Sequence, residues 1–103
     1  AQEDDDGGSA KRVLAAITAH KAALKVYRVK TNPHQYGGVI GNLPGMLVWL
    51  GKLDGENRSG HWLEAQDWLL AAWAVPGMDH REPTLRNLKR IQKEIRRLLR
   101  WAV

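Results

Sequence analysis

Four histidines, at positions 20, 34, 61 and 80, are the first residues with chemistry to offer. Imidazole changes charge near neutral pH and ligates metals. His20 falls within an apolar helical stripe and reads as a histidine at the edge of a core. His34 lies in a glycine-rich stretch, and His61 lies near a helix start. His80 sits in MDHREP between Asp79 and Glu82. Asp79, His80, Glu82 and a distant His61 form the only candidate oxygen–nitrogen ligand set. No HExxH pattern accompanies them, so the reading is a hydrated loop.

Glu64 and Asp67 are three residues apart, near one another on a helix. Carboxylates sharing a dry site split their pKa values and can do acid–base work. On a largely apolar helix these two read as its solvent side. The chain has no cysteine, which removes thiolate nucleophiles, thiolate metal sites and disulfides. No GxSxG element is present. The segment GGVIGNLPG, residues 37–45, lacks the GK[ST] ending of a phosphate loop and the GxGxxG spacing. It reads as a turn region. The expectation is a non-enzymatic protein with no catalytic residue, no cofactor and no metal.

Charge is the more informative chemistry. The chain has 103 residues, 16 Lys and Arg against 11 Asp and Glu, and a net charge of +5. Four of the acids lie in the first nine residues, AQEDDDGGS; the remainder carries 16 bases and 7 acids, net +9. Seven of the bases are Arg86, Lys89, Arg90, Lys93, Arg96, Arg97 and Arg100. At 100° per residue they fit an arc of roughly 120° beside an apolar arc of Leu85, Leu88, Ile95, Leu98, Leu99 and Ala102. Glu94 falls outside the basic arc. From Arg86 to Arg100 the stripe is about 21 Å long. Like charges at helical neighbour spacing repel, and structural surfaces usually mix signs.

Those side chains need a helix to hold them and a core to orient it. Pro83-Thr84 starts that helix, and Leu88, Ile91, Ile95, Leu98 and Ala102 give it the period of a bundle helix. Upstream, Ser9 reads as the N-cap of a helix from Ala10 to about Lys30. Val13, Ile17, His20, Leu24 and Tyr27 form its stripe. Asn32-Pro33 reads as its stop. Residues 31–42 read as a loop, with Val39-Ile40 a short extended piece. Asn42 then caps a helix over roughly 43–53, with Met46, Trp49, Leu50 and Leu53 as its apolar face. Its glycines mark where a neighbouring helix comes close. After the connector DGENRSG, a central helix runs from about Ser59 or His61 to Val75. Four of the five tryptophans, at 49, 62, 68 and 73, lie within this middle region and are expected to mark the core. Each can bury roughly 150–250 Å².

The expected architecture is all-α: a compact bundle of three to four helices over residues 10–103, with a disordered, flexible acidic arm over 1–9. No basic segment followed by an apolar one suggests a signal peptide, and the expected compartment is the cytoplasm. The expected function is nucleic-acid binding, DNA or RNA, through the phosphate backbone, by the seven basic residues. A helix-turn-helix over 43–74 fits poorly, because its connector is long and its second helix apolar. The alternative is a protein-interaction or assembly module that docks an acidic protein on the stripe or self-associates into a homo-oligomer through the tryptophan-rich helices. A membrane surface is disfavoured if the apolar arc is already packed.

Overall fold

The computed structural model describes the backbone of residues 6–78 and 81–102, and the side chains of 8–78 and 81–100. Within these residues the chain forms four helices: α1 (Asp6–Val26), α2 (Pro33–Leu53), α3 (Arg58–Trp73) and α4 (Glu82–Ala102). A single 3-10 turn, Gly55–Asn57, joins α2 to α3. The all-α bundle follows from helical apolar spacing in each segment. Of the arm expected over 1–9, residues 1–5 lie outside those described, and residues 6–9 belong to the first turns of α1.

Several boundaries differ from expectation, among them the end of α1 at Val26, short of the expected Lys30, which leaves Tyr27 just past the helix. The first helix begins at Asp6, so Ser9 lies inside it and is not its N-cap; its hydroxyl accepts a hydrogen bond from Arg12. More consequentially, α2 begins at Pro33, ten residues before the expected start. Pro33 initiates rather than stops a helix, because a proline needs no N–H in the first turn. Residues 37–45 are helical, not a turn, and neither an Asn42 cap nor a Val39-Ile40 extended piece exists. Pro44 sits inside α2 and is buried. It leaves the Ile40 carbonyl without its usual helical partner.

The packing accounts for this tolerance. α2 packs against each of the other three helices, α3 most extensively. It buries Ile40, Leu43, Leu47, Val48 and Leu50. Its glycines admit neighbours. A Cβ on Gly37 would lie 3.0 Å from the Arg81 guanidinium, one on Gly41 3.0 Å from Thr84, and one on Gly45 3.2 Å from Ile91. These three glycines, four apart, form the edge on which α4 and the residue before it rest. Gly51 makes room for the Trp62 ring, whose Nε1 donates to the Val48 carbonyl at 3.2 Å.

Arginines close both ends of α2. Arg58 Nε donates to the Gly51 carbonyl at 2.9 Å, with its guanidinium over the Trp62 ring. Arg81 donates to the His34 carbonyl at 2.8 Å and to His34 Nδ1 at 3.1 Å.

The central helix is therefore α2, not α3. On α3 only Trp62, Ala65, Leu69 and Ala72 are buried, while Leu63 and Leu70 face out. Nor do the tryptophans mark the core as a group. Trp62 is buried, Trp68 and Trp73 are half-buried against the core, and Trp49 is 54% exposed. The most enclosed large side chains are aliphatic: Ile17, Ile40, Leu43, Leu47, Met78, Leu88 and Ile95.

The two kinds of glycine on α2 behave oppositely. Gly51→Ala drives its methyl into Trp62 and is expected to lose about 1–3 kcal/mol, overpacking outweighing improved helix propensity. Gly38→Ala meets only the end of Arg81, at 4.0 Å, and is expected to gain up to about 1 kcal/mol. Urea unfolding midpoints of the two variants, moving in opposite directions, check this; equal shifts would rule out the close approach at Gly51.

Candidate nucleic-acid interface

α4 turns its aliphatic stripe inward. Leu88, Ile91, Ile95 and Leu98 are buried, and Leu85 and Leu99 are half-buried. Ala102 and Trp101 lie outside the side chains described. The inward stripe leaves the basic arc facing water. Between Thr84 and Arg100 the exposed residues are Arg86, Lys89, Arg90, Lys93, Arg96, Arg97 and Arg100 and no others. All seven expected site residues thus share one solvent-facing side of one helix. Glu82, exposed in the first turn, suits the positive end of the helix dipole. Arg96, Arg97 and Arg100 suit the other end.

One cation on this side is compensated. Arg97 reaches back three residues to Glu94, with contacts of 3.4 Å from Nε and 3.1 Å from Nη2. The wheel separates these two residues, but long side chains at i,i+3 span that separation. The same carboxylate pairs with Lys52 of α2 at 2.7 Å. Lys52 holds Glu94 below its ordinary value of 4.5; slight burial opposes this and Arg97 adds to it. Arg90 donates to the Asn87 side chain at 2.6 Å. No ion pair is formed by Arg86, Lys89, Lys93, Arg96 or Arg100 among the described residues.

Two depressions adjoin the basic side. A shallow one of about 290 Å³ is lined by Pro83, Arg86, Asn87 and Arg90. A groove of about 360 Å³ separates α4 from α2, with Gly45, Val48 and Ile91 in its lining beside Lys52, Asn87, Arg90 and Glu94. Lys52 and Asn87 were not among the expected site residues. Lys52 is brought in only by the α2–α4 packing. Asn87, flanked by Arg86 and Leu88, was legible as the polar residue between the two arcs.

The other candidate groups have structural partners. His20 Nδ1 donates to the Ala16 carbonyl at 2.9 Å and is half-buried, at the core edge. His61 Nε2 lies 2.9 Å from Asp54 and holds that carboxylate below its ordinary range. Asp67 is exposed, and Glu64 has structural partners. It pairs with Lys21 at 2.5 Å and accepts from Trp68 Nε1 at 3.1 Å. Burial alone would raise Glu64, but those two partners outweigh it and keep it low. Asp79 and His80 lie outside the described residues, among which no three metal-ligating side chains cluster. No helix among the described residues is long and apolar enough to cross a membrane.

Comparison with protein families, curated proteins and solved structures finds no match to this chain.

Asp54, Glu64 and Glu94 all have lowered pKa values in the folded chain. Their stabilising effect is full above the ordinary carboxylate range and fades as pH falls through the lowered values. The thermal midpoint is expected to drop as pH falls below the ordinary carboxylate range. Glu94→Gln is expected to lower stability at pH 7 by no more than about 1 kcal/mol, as its pairs are partly exposed, and to make the acid-side drop shallower. An acid-side drop identical to that of the native chain would exclude Glu94 from it.

Proposed function

We propose that this protein binds nucleic acid without performing chemistry on it, using the exposed basic side of α4 on the phosphate backbone. The observation that carries the reading is the coincidence on α4 between exposure and positive charge from Thr84 to Arg100. Phosphates recur about every 3.4 Å along one strand, so a stripe of about 21 Å faces several at once. Five of the seven residues are arginines, whose planar forks match phosphate oxygens. Contacts of this kind supply affinity and orientation rather than sequence choice.

A second reading is favoured by a different observation. Leu63 and Leu70, seven residues apart on α3, are 52% and 62% exposed. They form an apolar strip suited to a protein-interaction or assembly role, in which the basic side meets an acidic partner. Sedimentation distinguishes self-association: that version of the reading expects a mass above 11.6 kDa that rises with concentration and returns to monomer in Leu63→Ser/Leu70→Ser. A monomer at high concentration removes self-association but leaves a heterologous partner.

For the first reading the measurement is affinity for DNA and RNA against salt. The logarithmic slope is expected to be near 0.9 per duplex phosphate engaged. Replacing Lys89 and Lys93 together by Glu is expected to reduce the slope by about 2 or more, with thermal stability within about 1 kcal/mol of native. Glu94→Gln, which releases Lys52 and Arg97, is expected to steepen it. Absence of binding at low salt overturns the proposal.

A further inference from the structure

Trp49 is the one aromatic side chain among the described residues that is more than half exposed. Burying so large an apolar ring would stabilise the fold, so its exposure leaves that stabilisation unused. Its position is specific. On α2, Gly45 and Lys52 lie one turn either side of Trp49 and are rotated toward α4, while Met46 is rotated toward α1. Both α4-side neighbours reach that helix. Gly45 backs onto Ile91, and Lys52 pairs with Glu94.

The ring therefore stands on a ridge between two grooves. The α2–α4 groove carries Lys52 and Arg90 beside the basic stripe. The α1–α2 groove, about 410 Å³, is lined by Trp49 itself together with Arg12, Val13, Ala16 and Met46. Gly45 belongs to both linings.

An exposed ring one helical turn from Lys52, whose groove also carries Arg90, pairs an aromatic face with nearby cations, the combination that holds single strands: cations track the phosphates, and a base stacks on the ring. Duplex bases are already stacked on one another and cannot reach such a ring without being displaced. We propose that Trp49 stacks an unpaired base of a single-stranded DNA or RNA whose backbone follows the basic side of α4. The contact is sequence-tolerant, because every base offers a π face. This inference rests on the phosphate-binding reading above and narrows it to single strands.

The test compares a 20-nucleotide oligothymidine with a 20-base-pair duplex, for the native chain, Trp49→Ala, Trp49→Phe and Lys89→Glu/Lys93→Glu. Trp49→Ala is expected to weaken single-strand binding by roughly five- to a hundred-fold, the loss of one stacked base. Duplex binding should change less than about two-fold, and Trp49→Phe should retain most single-strand affinity. The circular-dichroism melting curve, expected to be unchanged for Trp49→Phe, separates loss of the ring from loss of the fold. The Lys89/Lys93 variant should weaken both ligands. If it does so while Trp49→Ala leaves oligothymidine binding intact, or weakens both ligands equally, the stacking role is overturned and phosphate binding stands. If neither ligand binds the native chain, both proposals fall.

Discussion

The structure depends on how closely other elements approach α2. A helix with full side chains on that surface would hold its neighbours further away. Here four positions are reduced to hydrogen, at Gly37, Gly41, Gly45 and Gly51, and each is filled by a neighbour's side chain. Arg81, Thr84 and Ile91 occupy the first three, and Trp62 the fourth. The glycines weaken α2 as an isolated helix by about 1 kcal/mol each relative to alanine. The contacts they allow offset that cost. Seating α4 on this edge fixes its rotation: Leu88, Ile91, Ile95 and Leu98 point inward, and the side left for water is the charged one.

The parts of the fold legible in the sequence were those with strong periodicity. The aliphatic period of α4 announced which side would be buried, and the Val13–Tyr27 stripe of α1 did the same. The first ten residues of α2 were not legible. Pro33, Gly37, Gly38 and Gly41 individually disfavour a helix or signal a turn, and their compensation lies in Arg81 and Thr84, more than 40 residues away in the chain. The tryptophans misled for a related reason. Hydrophobic content alone does not say which side of a helix meets a partner. Trp62 and Trp49 lie on the same two elements that pack together most extensively, yet one fills a glycine notch and the other stands in solvent.

The candidate site was legible in its cations and not in its surroundings. Spacing along one helix placed all seven on a common side. It did not place Lys52, which reaches α4 only through the tertiary fold. Nor did the wheel reveal that Glu94 holds Arg97. The acid sits outside the basic arc by angle, but a flexible side chain is not confined to its Cα direction. The site is thus a row of cations with one internal brake, a carboxylate shared between α2 and α4.

The row also implies something about the free protein. Cations packed at helical neighbour distances raise the energy of the folded chain whenever nothing covers them, and dissolved anions gather there in response. Electrolyte therefore acts in two opposed senses. It relieves the self-repulsion of the unliganded fold and so makes it sturdier, while it competes with any polyanion for the same surface. A buffer chosen to keep the isolated protein comfortable is the one in which the proposed polyanion contact would be weakest.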